Sequence, residues 1–368
     1  MSLLHRLSHI IPPPQYLTLP SAGVDISDTS LKYIQFTPDT RSGTTLDLEH
    51  WGDIDIAEGA LMRGDIKEHS KLVDALKAAK DECGFSYVRV SLPEERAYLF
   101  ETEIKRGTPF KEIRGLLEFR LEENVPLSPR DAFFDYDIVE EDSSDGVFRV
   151  SVTAYSRDTI MGYYEACRAA GLTPLSFEVE AQAIARATIP KADCGTYMIV
   201  DFGKTRTGIG IVHKGALMYT STIDIGGGEL STALRRQLGD KPESELTQIK
   251  NTQGLSQAAE HKDVYDALIS TISAIKDEIS TRIYYWDTRD VGRGERPIQE
   301  VILCGGSVNL KGLPEYFTAS LNIPTSRAAV WQNAFSLNDF VPPIDRRHSY
   351  GYATAIGLAL TQFTNSHD

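Results

Sequence analysis

The feature that most constrains this chain is that it repeats itself. Val24-Asp25-Ile26-Ser27-Asp28-Thr29-Ser30 and Val200-Asp201-Phe202-Gly203-Lys204-Thr205-Arg206-Thr207 each run apolar, Asp, apolar, small residue, then hydroxyls, 176 positions apart. Each copy continues through a strand meander into a helix, which is the pattern of a tandem pair of similar units. At 368 residues the chain is also longer than one hydrophobic core serves, so two or more domains are expected. Two unrelated hairpins with Asp in a turn would share this spacing, and the chemistry of the turns has to separate the readings.

A turn of small residues lets backbone N–H groups approach phosphate oxygens, while Ser30, Thr205 or Thr207 can add hydroxyl donors. A carboxylate at a strand end in each turn suits Mg2+, a hard ion that prefers oxygen and keeps much of its water; Asp25 and Asp201 are the candidates. A third glycine turn, Gly305-Gly306-Ser307, opens from the apolar run Val301-Ile302-Leu303-Cys304. Two resemblances to other phosphate motifs fail on inspection. Gly203-Lys204-Thr205 lacks the first glycine of a P-loop, since position 198 is Met, and Gly208-Ile209-Gly210 lies in a strand-like stretch without the third glycine of a dinucleotide fingerprint.

Other chemistries recede. Cys83, Cys167, Cys194 and Cys304 are scattered without a Cys-x-x-Cys pair, and the eight histidines include no ligand spacing. A formal charge of -14 repels nucleic acid and anionic lipid. No run is long enough to span a bilayer and residues 1–22 lack the features of a signal peptide, so a cytosolic chain is expected.

Along the chain, Leu3 to Ile11 has helical spacing stopped by Pro12-Pro13-Pro14, a short tail. Strands are predicted at 23–26, 31–36 and 46–51, a helix at 67–83 ended by Gly84, and a strand at 88–92. A helix starting at Pro109 carries the apolar stripe Phe110, Ile113, Leu117 and Leu121, and with strands at 133–139 and 147–155 and a helix at 157–170 it makes a compact α+β unit that packs the stripe on its own strands. Strands at 197–202, 206–213 and 216–224, a helix near Leu230 and a long helix at 263–287 follow.

These residues resemble the actin-like ATPase superfamily and, within it, the PilM family of type IV pilus assembly proteins, over about residues 22–360. Gly23 to Lys32 is similar to the first phosphate motif, Val200 to Thr205 to the second, and Ile302 to Ser307 with Leu310-Lys311-Gly312-Leu313 to the adenosine motif. Ile225-Gly226-Gly227 with Leu230-Ser231 resembles the turn under the nucleotide. Glu178 to Arg186, Glu245 to Lys250 and Tyr352 to Ala359 resemble segments particular to the PilM family. Two positions depart from the pattern: Ser27 stands where the superfamily has Gly, and Lys204-Thr205-Arg206 is bulky.

The resemblance implies an α/β, ribonuclease H-like duplicated fold with two lobes around a nucleotide cleft and an inserted α+β subdomain. Subdomain 1A would be 21–90 plus 345–366, after a tail at 1–20; 1C would be 91–175, 2A would be 190–228 plus 300–344, and 2B would be 229–299. It implies ATP and Mg2+ as ligands, with Asp25 and Asp201 at the reacting centre. The nucleotide would be held by Ser27, Thr29, Ser30, Lys32, Gly203, Thr205, Arg206, Thr207, Gly226, Gly227, Glu229, Lys250, Gly305, Gly306 and Ser307. The implied partner is a PilN-like inner-membrane protein whose short cytoplasmic peptide occupies a 1A–1C groove and brings the chain to the cytoplasmic face of the inner membrane.

Two other functions share this superfamily. A small-molecule kinase needs a carboxylate base beside an acceptor hydroxyl; Glu180 is the nearest candidate, although its segment is also the expected interdomain connector. An FtsA-like division tether calls for a basic amphipathic C-terminal helix, whereas Thr361 to Asp368 is polar and ends in an acid. An assembly protein that binds ATP and turns it over slowly at most is the reading carried forward.

Overall fold

In a computed structural model, which describes residues 19–38, 46–140, 146–289 and 296–363, the repeat in sequence is a repeat of sheet topology. The expected N-terminal tail falls outside these residues except for Leu19 and Pro20, and so does the end of the chain from 364. The first lobe opens with β1 (Ser21–Ile26), β2 (Ser30–Pro38), β3 (Leu46–Asp55), the small hairpin β4 (Leu61–Met62) and β5 (Asp65–Ile66), α1 (His69–Cys83) and β6 (Tyr87–Leu92). Then come β7 (Tyr98–Lys105), α2 (Phe110–Asn124), β8 (Ala132–Glu140), β9 (Val147–Ser156), α3 (Arg157–Ala169), β10 (Thr173–Val179) and α4 (Glu180–Thr188). The second lobe holds β11 (Thr196–Phe202), β12 (Thr207–His213), β13 (Ala216–Ile223), α5 (Gly227–Leu238), α6 (Glu243–Thr252) and α7 (Lys262–Arg289). It is followed by β14 (Glu300–Cys304), α8 (Leu313–Leu321), β15 (Thr325–Arg327), α9 (Arg346–Ser349) and α10 (Ala353–Leu360).

The two five-stranded sheets have the orders β10-β6-β1-β2-β3 and β15-β14-β11-β12-β13. In both, the opening strand pairs antiparallel with its successor and parallel with a strand from later in the chain. The central strands carry apolar side chains on both faces because both are covered: Val24, Val88, Val90, Met198, Val200 and Leu303 are all buried. Helices α4 and α10 cross between the sheets at glycine contacts. A Cβ on Gly23 would lie 2.1 Å from the Ala355 carbonyl oxygen, one on Gly210 would lie 2.4 Å from Ala181 Cβ, and one on Gly357 would lie 1.7 Å from the Ala183 carbonyl oxygen.

β7, β9 and β8 form a separate three-stranded sheet. Covered by α2, it has its own core of Ile104, Ile113, Leu117, Val150 and Val152, continued by Leu121, Val125, Ala132 and Ala154. Two expectations are corrected here. Phe110 is 73% exposed; as the first residue of α2 it precedes the turn that meets the sheet, so only Ile113, Leu117 and Leu121 of the stripe are buried. Helix α3 packs Tyr163, Ala166 and Cys167 into the main core alongside α1 and β10, so the unit with its own sheet runs over 98–156, narrower than 91–175. Among the described residues no helix is long and apolar enough to cross a membrane.

Candidate functional site

The C-terminal ends of β1, β11 and β14 meet at a cavity of about 350 Å³. Asp25 and Asp201 stand one residue before the ends of β1 and β11, and both line it. Because Asp201 pairs in register with Cys304, the glycine turn follows directly beside its carboxylate. Gly305 has φ of 91°, and a Cβ there would lie 2.3 Å from Asp201 Oδ1, so glycine is required twice over.

Both phosphate-type loops are tied down by their own bonds. In the first, the N–H and Oγ–H of Ser27 both donate to the Ser30 carbonyl at 2.9 Å, and Ser30 N–H returns to Ser27 Oγ at 3.1 Å. The serine that replaces the superfamily glycine therefore closes the turn on itself. Lys32 Nζ donates to Ser30 Oγ at 2.6 Å and pairs with Asp53 at 3.3 Å. In the second loop, Gly203 carbonyl accepts Gly227 N–H and Ser307 Oγ–H, each at 2.9 Å, and Lys204 carbonyl accepts Gly228 N–H at 2.8 Å. Gly226 N–H goes to Glu229 Oε2 at 2.8 Å. The N-terminus of α5 is thus spent on supporting the loop.

The cavity brings together Asp25, Ser27, Thr29, Ser30, Lys32, Glu180, Asp201, Gly203, Thr205, Arg206, Gly305 and Gly306. Gly226, Gly227, Glu229 and Ser307 stand behind the second loop. Two expected residues are placed elsewhere. Thr207 is fully buried and its hydroxyl donates to the Ile225 carbonyl at 2.7 Å, which removes it as a phosphate donor. Lys250, on α6, donates to Ser231 Oγ at 2.7 Å and pairs with Glu243 at 3.3 Å, away from the cavity lining.

Sequence reasoning missed Ser91, Glu94 and Glu95, and passed over Asp28 inside the first motif. Ser91 Oγ donates to Asp25 Oδ1 and accepts Ile26 N–H, both at 3.0 Å. Glu94 lies in the turn after β6, is 4% exposed, and accepts Ala181 N–H on Oε1 at 3.0 Å, while its Oε2 has no hydrogen-bond partner. A Cβ on Gly208 would lie 2.7 Å from that oxygen, which is the reason for a glycine in β12. Only the position of Glu94 and Glu95 after Pro93 was visible in sequence, and it matches no pattern.

Eight carboxylates line the cavity (Asp25, Asp28, Asp53, Asp55, Glu94, Glu95, Glu180 and Asp201) against three cations, Lys32, Lys204 and Arg206. Burial pushes Asp201 up to about 7, with the Asp25 charge adding to it, and pushes Glu94 up to about 8, with the Asp201 charge next. Burial also raises Asp25 against the pull of Lys32, and holds Glu180 well above the usual carboxylate range, helped by the charges of Asp25, Glu94 and Asp201. Acids desolvated and crowded in this way either hold protons or take up a cation. Their hard oxygens fit Mg2+. Among the described residues no three His, Cys, Asp or Glu side chains converge to cage an ion, so water and ligand oxygens would make up the rest of its shell.

A second recess shares no lining residue with this cavity. A groove of about 310 Å³ is lined by Leu92, Phe133, Phe134, Tyr155, Ile160 and Phe177, among others. It runs between β8 and β10, each the edge strand of its sheet, and edge strands offer unpaired backbone donors and acceptors.

The family described as type IV pilus assembly protein PilM matches residues 23–363. Among solved structures, a chain of a PilM–PilN type IV pilus biogenesis complex is 19% identical, covers 95% of this chain and 100% of its own, and superposes with a TM-score of 0.75. The ethanolamine utilization protein EutJ from Carboxydothermus hydrogenoformans is 16% identical, with 95% and 90% coverage and a TM-score of 0.54. MreB5 of Spiroplasma citri bound to ADP is 13% identical, with 86% and 94% coverage and a TM-score of 0.51. The shared fold is actin-like.

Proposed function

The chain belongs to the PilM family of type IV pilus assembly proteins, and from that premise we propose that it is a nucleotide-binding adaptor that grips a short peptide of a PilN-like inner-membrane protein. The observation that carries this is the apolar groove between two sheet edges, physically separate from the charged cleft. An extended peptide binds such a place by setting apolar anchors among Phe133, Phe134 and Phe177 while its backbone bonds along an open edge. The name of the structural neighbour, a PilM–PilN complex, supports the choice of partner. Tethered in this way, the chain would work at the cytoplasmic face of the inner membrane.

In the cleft the ligand is ATP with Mg2+. Asp25 and Asp201 would hold the ion directly or through water, and the ion would neutralise phosphate charge that the surrounding acids otherwise repel. The backbone of the two loops and Lys32 would orient the phosphates. The proposed divisions are 21–90 plus 345–366 for subdomain 1A, 190–228 plus 300–344 for 2A and 229–299 for 2B, with the three-stranded sheet and α2 as the body of 1C.

Hydrogen exchange with a peptide from the cytoplasmic N-terminus of a PilN-like protein tests the partner. Protection is expected in β8 and β10, and Phe133→Ala, with folding checked by circular dichroism, is expected to weaken binding about tenfold or more, since aromatic anchors carry most of such affinity. Protection confined to α5, α6 and α7 would overturn the assignment.

A further inference from the structure

The cleft contains an arginine that is already engaged. Arg206, at the end of the second loop, reaches the first lobe, where it pairs with Asp28 at 2.7 Å and with Glu95. All three side chains are between 15% and 19% exposed and line the cavity. Asp28 is held in place, accepting N–H groups of Arg63 at 3.1 Å and Gly64 at 3.3 Å, and Arg63 in turn pairs with Asp224 of the second lobe at 2.6 Å. The guanidinium is therefore shared between two carboxylates at the point where the lobes touch.

The two ends of the second loop face different parts of the cleft. Its first residue, Gly203, is bonded to Ser307 beside the Gly305-Gly306 turn, whereas Arg206 is bonded across the cleft to Asp28 and Glu95. Arg206 and the Gly305-Gly306 turn line the same cavity, so a phosphate chain seated at the turn shares that space with the guanidinium. A guanidinium forks onto phosphate as well as onto carboxylate, so a terminal phosphate can replace the two acids without leaving the cation unpaired.

We infer that Arg206 is the residue that distinguishes a nucleoside triphosphate from a diphosphate in this cleft. The terminal phosphate takes the guanidinium from Asp28 and Glu95, while a diphosphate ends short of it and leaves the interlobe pair intact. The inference rests on the nucleotide reading proposed above.

Calorimetric titration with Mg-ATP and Mg-ADP tests it on the full chain. The wild type is expected to prefer the triphosphate by about tenfold or more, the scale of a charge-assisted bidentate contact. Arg206→Ala should bring the ratio below about threefold. A double variant, Asp28→Asn with Arg206→Ala, removes one acid and one base and so keeps the cavity's net charge; the ratio should collapse there too, with Mg-ADP affinity changed less than about threefold. A ratio that persists in the double variant, or an equal loss for both nucleotides, overturns the inference. Should Arg206→Ala not fold, Glu95→Gln removes one competing anion and is expected to tighten Mg-ATP about tenfold; unchanged affinity is then the overturning result. Absence of binding of either nucleotide to the wild type defeats the nucleotide reading itself, and is seen before any variant is made.

Discussion

The chemistry of the cleft rests on carboxylates whose charges are held back. Asp201 titrates at about 7 and Glu94 at about 8, both mainly because burial disfavours the anion. Each binds its proton more tightly folded than unfolded, so each adds stability that is complete below its ordinary value and is lost as the pH rises through the folded value. The ligand-free protein is therefore expected to melt about 5 °C or more lower at pH 8.5 than at pH 5.5, with Asp201→Asn and Glu94→Gln each flattening the profile; a flat wild-type profile refutes the assignment. Magnesium works in the opposite sense, since it needs the anions: Mg-ATP affinity should rise between pH 6 and pH 8, and Asp201→Ala should weaken it at least about tenfold with the fold intact on circular dichroism. Burial, with the charges of Asp25, Glu94 and Asp201 next, holds Glu180 well above the usual carboxylate range and so disfavours its anion, and a second carboxylate poised as a base is not among the described residues of the cleft. Phosphate release is accordingly expected far below the roughly 10 per second typical of enzymes, and a steady-state rate near that value would contradict it.

At the level of elements, the legible part was whatever repeats or alternates. The strands from Val24 and Val200 and the long helix α7 have periodic apolar patterns, and the two acids at the strand ends were readable because they occur twice. What stayed hidden depends on close approach between distant segments. Helix α4 was expected only as a connector; its helical role follows from crossing α10 at Gly357, and nothing near Ala183 in the sequence signals that contact. Glu94 and Glu95 were invisible for the same reason, since their partners Ala181, Gly208 and Arg206 are remote in sequence. Glycine substitutions measure the difference between a required and an incidental glycine. Gly357→Ala puts a Cβ 1.7 Å from a backbone oxygen, and urea unfolding should record a loss of about 3 kcal/mol. Gly115, in the middle of α2 with nothing near its Cβ position, should respond to alanine with a gain of about 0.5–1 kcal/mol. Equal responses at the two sites would refute the crossing.

Across the whole molecule, the helices α4 and α10 pack between the two sheets, and the cavity is lined by the ends of both opening strands. Its lining is acidic by eight carboxylates to three cations. Polyphosphate alone would add four negative charges, or nearly so, to a site that already repels itself, whereas the same anion carrying Mg2+ brings the compensation with it. A ligand that touches both lobes also binds the folded chain and not the unfolded one, so it raises the melting temperature by mass action, by about 2.7 kcal/mol at a hundredfold excess over its Kd. Mg-ATP is therefore expected to raise the melting temperature by several degrees, roughly the shift that a free energy of this size produces in a chain of this length. ATP with EDTA in place of the metal is expected to leave it unchanged or lower it. Thermal denaturation followed by near-ultraviolet circular dichroism separates the outcomes: equal stabilisation with and without metal would mean that the acids of the cleft are not the ion's ligands, and that the phosphates are held by the loop backbone and Lys32 alone.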